Sequence, residues 1–230
     1  MTTPQGARAR ARMEVTTAIK DEARRQLAAE GAAKLSLRAV ARELGMVSSA
    51  LYRYFPSRDD LLTALIIDAY DSLGEAAETA HAAAAGLPSA ERWVAVCEAV
   101  RRWALAHPHE YALIYGSPVP GYSAPDTTIP PAARVALVLI GILREAFERR
   151  GLARTPVPAG LAPEARRMAD ELMPGLPPEV AVAMAAAWAQ LFGLVGFELF
   201  GQFERVVEDR EQFFRHAAAQ LAHGVGLVFP

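Results

Sequence analysis

Between Arg12 and Glu30 apolar side chains return every fourth residue, at Val15, Ile19, Ala23 and Leu27. That is the spacing of one helix face. The same period governs the later apolar stretches, each ended by Gly or Pro, and almost nothing alternates as a strand would. Composition points the same way. Of 230 residues, 47 are Ala, which loses no side-chain entropy on entering a helix. The expected fold class is all-α.

The punctuation sets the elements. Gly31 closes the first helix. Ser36 caps a short second one, which carries Leu37, Val40, Ala41 and Leu44 inward and shows Arg38 and Arg42 outward. Gly45 breaks it. A third short helix covers residues 47–54 and stops before Pro56. Ser57 with Asp60 reads as a capping-box variant. It opens a long helix with Leu61, Leu62, Leu65, Ile66, Ala69 and Leu73 on its buried side. Ser89 is expected to cap a helix bearing Trp93, Val96, Cys97, Val100 and Trp103. Residues 107–115 form another short helix. Residues 116–131 hold five Pro and two Gly, so an extended loop is expected there. Residues 132–150 are helical. Residues 151–178, with six Pro, leave room for one or two turns near 164–172. Residues 179–203 and 209–226 make the last two helices.

Several function classes fall away. A single Cys, Cys97, excludes a disulfide framework, and its place on an apolar stripe makes it a core residue rather than a nucleophile. No nucleophile elbow or Gly-rich phosphate loop is present. His107 and His109 flank Pro108 beside Glu110, but no third ligand stands at helical spacing to either, so no metal or cofactor is expected and the chain does not read as an enzyme. Residues 180–197 are apolar or Gly except for Gln190, long enough to span a bilayer. Their many Ala side chains suit close helix packing better than lipid, so no membrane role is expected and the helix should be buried all round. The polar, Arg-dotted start lacks a signal-peptide pattern, which makes the cytoplasm the default.

Charge is unevenly spread. Residues 1–60 carry 11 Lys and Arg against 7 Asp and Glu, whereas residues 61–230 carry 13 against 19. A basic head on an acidic body suits a polyanionic partner at the head. There, two short helices meet at Gly45 at helix-turn-helix spacing. The second presents Ser48, Ser49, Ala50, Tyr52 and Arg53 around an inward Leu51. Small groups at its start let backbone enter a DNA groove, and the following polar groups reach base edges.

The run Ala41-Arg42-Glu43-Leu44-Gly45-Met46, followed by Leu51-Tyr52-Arg53-Tyr54-Phe55-Pro56-Ser57-Arg58-Asp59-Asp60-Leu61-Leu62, resembles the DNA-binding domain of the TetR family of bacterial transcriptional regulators. The resemblance covers about residues 17–66. It implies a helix-turn-helix domain over residues 1–60 and a larger helical bundle for ligand binding and dimerisation over 61–230. It also implies a homodimer on a palindromic operator in double-stranded DNA, released when a small molecule enters the C-terminal part. Carried over residue by residue, Tyr52 and Tyr54 reach phosphates, and Arg58 adds charge at the fourth helix. Ser48, Ser49, Ala50 and Arg53 face bases, and Ser36 and Arg38 touch phosphate. Arg8, Arg10 and Arg12, ahead of the first helix, form a flexible arm or a solvated tail. Where relatives often have Ser or Thr capping the recognition helix, this chain has Val47. Either Ser48 takes over the cap or the helix starts one residue later.

The segment from Trp103-Ala104-Leu105-Ala106-His107-Pro108 through Gly116-Ser117-Pro118-Val119-Pro120-Gly121-Tyr122, with Trp188-Ala189-Gln190-Leu191-Phe192-Gly193, is similar to the TetR subgroup named for a Trp-His-Gly signature. Phe192 stands where that subgroup often has His, which implies a more apolar pocket. Trp103, His107, Tyr111, Tyr115, Trp188, Phe192 and Phe197 are the expected effector-binding set, with the loop 116–131 as its lid. Phe213, Leu221 and Val225 are expected to form a dimer stripe. The alternatives outside this reading are a helical enzyme or a ligand-binding or adaptor protein without DNA function.

Overall fold

The computed structural model describes residues 4–153 and 155–228, and among them contains no strand. The helices are α1 (Pro4–Glu30), α2 (Leu37–Glu43), α3 (Ser48–Leu51), α4 (Arg58–Ala83), α5 (Ser89–Ala106), α6 (Pro108–Tyr115), α7 (Ile129–Arg150), α8 (Ala162–Leu172), α9 (Pro178–Leu199) and α10 (Arg210–Gly224). They form two compact units, Met1–Tyr70 with Pro108–Ile129, and Asp71–His107 with Pro130–Pro230. α4 runs unbroken past residue 60.

The first unit is built on the expected stripe. Ile19, Ala23 and Leu27 of α1 are buried against Leu37, Val40 and Ala41 of α2, Leu51 of α3, Phe55, and Leu61, Leu62 and Leu65 of α4. Each buried Ile, Leu, Val or Phe among them contributes about 1.5–3 kcal/mol. The turn between α2 and α3 closes through Met46 N–H to Ala41 C=O at 2.8 Å and Gly45 N–H to Arg42 C=O at 3.1 Å. Gly45 lies at φ +63°, the left-handed geometry that this paired closure demands.

In the second unit α10 packs on α5 and α9, and α8 packs on α9. Its core includes Trp93, Val96, Cys97 and Val100 of α5, Leu139, Ile142 and Leu143 of α7, and Leu191 and Val195 of α9. Arg134 of α7 is laid across α4. It donates to both carboxylate oxygens of Glu78 at 2.9 and 2.7 Å and to the backbone and side chain of Asp71 at 2.9 and 2.8 Å. A Cβ on Gly74 would stand 2.7 Å from the Arg134 side chain, so the missing side chain makes the crossing possible.

Several expectations need correction. Arg8, Arg10 and Arg12 do not precede the first helix. α1 begins at Pro4, because alternating Ala and Arg are good helix formers. α3 is shorter than expected. After Leu51 the chain tightens, with Arg53 N–H to Ala50 C=O at 3.2 Å and Tyr54 N–H to Leu51 C=O at 2.8 Å, the i→i+3 pattern of a helix end approaching Pro56. Pro130 and Pro131 are not loop residues. They sit in the first turn of α7, where the missing N–H is unneeded anyway. Ser89 does not cap α5 but opens it as its first residue, with Pro88 at the N-cap position. α8 extends to 11 residues. α9 is not buried all round: Ala186, Ala189, Gln190, Gly193 and Phe197 face outward.

Candidate nucleic-acid interface

The expected reading surface is built upward from Leu51, which is fully buried and roots α3 in the first unit's core. With Leu51 inward, Ser49, Tyr52 and Arg53 are exposed and Ser48, Ala50 and Tyr54 half-exposed. Val47 is the residue before α3 and provides no side-chain cap, so the helix starts at Ser48. Neither option left open by Val47 is adopted: Val47 itself holds the N-cap position, and the helix goes without a side-chain cap.

On α2, Ser36 accepts a hydrogen bond from Ala39 N–H at 3.4 Å. Arg38 is exposed. The structure therefore puts Ser36, Arg38, Ser48, Ser49, Ala50, Tyr52, Arg53 and Tyr54 on or directly beside two successive short helices of one unit.

Arg58 is placed differently. Its guanidinium donates to the carbonyls of Leu35 at 3.2 Å, Ala32 at 2.8 Å and Ala33 at 3.3 Å. Those carbonyls end the short 3-10 turn Ala32–Lys34, so Arg58 fixes the entry into α2. The start of α4 is capped as the sequence indicates, with Asp60 N–H donating to Ser57 Oγ at 3.1 Å and Ser57 Oγ–H to Asp60 Oδ2 at 2.7 Å.

Sequence reasoning assigned no structural contact to Arg12. Its guanidinium donates to the Arg53 carbonyl at 3.4 Å and lies 5.0 Å over the Tyr54 ring. No periodicity announces a contact 41 residues apart. A second unassigned feature is the ionic group of α1, α4 and α6. Arg24 donates to Asp21 at 2.8 Å, Asp68 at 2.7 Å and Glu110 at 3.0 Å, while Lys20 pairs with Asp68 at 2.8 Å.

The expected effector residues fall into separate ring groups. In the first unit Tyr111 and Tyr115 lie 5.3 Å apart and Tyr70 meets Tyr115 edge-on at 6.0 Å. Burial pushes the Tyr111 and Tyr115 hydroxyls well above their ordinary titration range. In the second unit Trp103 stacks on His107 at 5.1 Å and donates its indole N–H to Ser72 Oγ at 2.9 Å. Trp188 and Phe192 form another pair at 4.5 Å. Phe197, 54% exposed, instead joins Phe203 and Phe213 on a groove of about 590 Å³ between α9 and α10.

The loop before α7 is no free lid. Val119 and Tyr122 pack on the first unit's core, and the Tyr122 hydroxyl meets Thr63 Oγ1 at 2.9 Å. Of the expected dimer stripe, Leu221 and Phe213 line the α9–α10 groove, but Val225 is buried in the unit's own core. Cys97 is fully buried, which raises its thiol far above the usual range and removes it as a nucleophile.

Residues 19–65 match the family described as "Bacterial regulatory proteins, tetR family", and residues 93–221 match "Tetracyclin repressor-like, C-terminal domain". The HTH-type transcriptional regulators Mb1846 of Mycobacterium bovis and Rv1816 of Mycobacterium tuberculosis are 39% identical over 215 residues, covering 86% of each chain. The crystal structure of the regulatory protein SCO4313 is 33% identical, covers 94% of this chain and 98% of its own, and superposes with a TM-score of 0.76. PfmR from Thermus thermophilus, a TetR-family regulator, shares the fold at 20% identity and a TM-score of 0.61, covering 90% and 97%. With its helix-turn-helix and both halves matched, the chain belongs to the TetR family of transcriptional regulators and is not an enzyme.

Proposed function

We propose that this regulator is a cytoplasmic homodimeric repressor that reads a palindromic operator and is released from it by a small apolar or aromatic effector. The observation that carries the DNA part is the outward display of Ser49, Tyr52 and Arg53 around the buried Leu51. Short side chains at the start of α3 allow groove entry, Tyr52 and Tyr54 supply hydroxyls for phosphates, and Arg53 has the fork to read a base edge. Ser36 and Arg38 add phosphate contacts from α2. Arg58 gives its Nε–H and Nη2–H donors to backbone carbonyls, which holds α2 in place beside the phosphate contact expected of it.

The effector part rests on the aromatic surface of Trp103, His107, Trp188 and Phe192 in the second unit. Such walls suit a mostly apolar ligand. Useful switching requires the ligand to favour the DNA-free state by about 1–3 kcal/mol or more.

The deciding experiment compares Arg53→Ala with Tyr52→Phe on the operator and on random DNA, by fluorescence anisotropy. Arg53→Ala should remove about 1–3 kcal/mol of discrimination between the two. Tyr52→Phe should weaken both alike, because phosphates carry no sequence. Equal weakening of both DNAs by Arg53→Ala would show that Arg53 does not read bases.

A further inference from the structure

We propose that Arg12 is a positioning residue for operator reading: from α1 it holds the C-terminal end of the recognition helix in register. The inference rests on the reading of α3 as the DNA-facing helix.

α3 has four residues, too few to persist without tertiary support. Its first turn has no side-chain cap. Leu51 and Phe55 anchor it from below. Residues 52–54 between those anchors lie at the surface or half-exposed, and all three are expected DNA contacts. Arg12 touches Arg53 and Tyr54. It donates Nη2–H to the Arg53 carbonyl at 3.4 Å, and its guanidinium covers the Tyr54 ring at 5.0 Å. One planar, donor-bearing cation thus fixes the backbone that carries the base reader and the ring that carries a phosphate-seeking hydroxyl.

Only Arg can do both. A guanidinium stacks on an aromatic face while its edge donors point elsewhere, whereas a Lys ammonium is a compact point charge that satisfies one or the other. Arg12 is itself exposed and belongs to the part of α1 ahead of the buried stripe. Replacing it therefore leaves the core packing of α1 intact.

The test keeps the charge and removes the geometry. Arg12→Lys is measured beside wild type on operator and random-sequence DNA across a salt series. Operator affinity should fall about tenfold, a coupling of ordinary size for touching residues. Random-DNA affinity should change by less than about twofold, with the slope of log K against log salt unchanged. In a Tyr54→Leu background the same change should cost distinctly less, since the ring contact is already gone. In the DNA-free protein, Arg12→Lys should shift the amide resonances of Arg53, Tyr54 and Phe55. Three results would overturn the proposal: wild-type operator affinity in Arg12→Lys, an equal loss on both DNAs in Arg12→Gln with the salt slope reduced by about 0.9, or unmoved amides at residues 53–55. The second of these would make Arg12 a plain phosphate contact. Arg53→Ala tests the underlying reading of α3 separately, so failure of the one is distinguishable from failure of the other.

Discussion

Glu198 shows how far one residue's surroundings can depart from its place in the sequence. It follows an apolar run and reads as that run's polar boundary. In the structure it is 8% exposed and accepts from Nε–H and Nη2–H on one edge of the Arg101 guanidinium, at 2.7 and 2.6 Å. Arg101 also lies 5.5 Å over the Phe214 ring. The bonds to Glu198 strengthen the hold of Arg101 on its proton. A pair this enclosed contributes little net stability when whole, yet breaking it strands a charge. Glu198→Ala should therefore cost about 3–5 kcal/mol, read from the urea midpoint. The double variant Arg101→Met, Glu198→Leu should recover most of that loss; if it is as unstable as Glu198→Ala, the stranded charge is not the cause. The two residues are 97 apart in sequence, and neither carries a local pattern, so no reading of the chain could pair them. Arg58 illustrates the same limit. Its motif position was legible, but the three carbonyls that take its donors were not.

At the scale of elements, what was legible is what local chemistry decides. The Ser36 cap, the Ser57–Asp60 box and the buried stripes of α1 and α4 all follow from spacing and short-range hydrogen bonding. What failed did so where tertiary context or end geometry decides. Pro130 and Pro131 read as helix breakers but start α7, because proline is harmful only where an N–H is needed. Gly45 is the element-scale position on which the interface depends. Its φ of +63° is left-handed, and no atom would stand within 4 Å of an added Cβ. The cost of Gly45→Ala is therefore purely conformational, about 1–2 kcal/mol. Gly45→Asn should lose less, since Asn tolerates this region better. Thermal unfolding would rank the two, and an Ala variant as stable as wild type would mean that the turn relaxes to a different geometry. Operator affinity should follow the same order, because the turn aims α3.

At the scale of the whole molecule the proposed dimer decides whether two weak half-site contacts add up to an operator complex. The second unit offers a groove between α9 and α10 lined by Ala183, Ala186, Gly193, Phe197, Phe213 and Ala217. Small side chains let a partner helix approach closely, and the exposed Phe rings supply apolar area that a lone protomer leaves in water. A symmetric pairing places the same face on both copies. Within α10 the sequence could not separate this face from the core, because Ala217 and Ala218 look alike. The structure separates them: Ala217 lines the groove, whereas Ala218 is fully buried in its own unit. The two neighbours therefore give opposite outcomes for one chemical change. Ala217→Glu puts a charge into the proposed dimer face and should yield a folded monomer at micromolar concentration by sedimentation. Its operator affinity should drop by about 10²–10⁴, the gain that linking two sites provides, while helicity and random-DNA binding by the single head persist. Ala218→Glu buries an unpaired charge in the bundle and should unfold that unit instead, with loss of helical signal. A dimeric Ala217→Glu protein with wild-type operator affinity would place the dimer contact elsewhere.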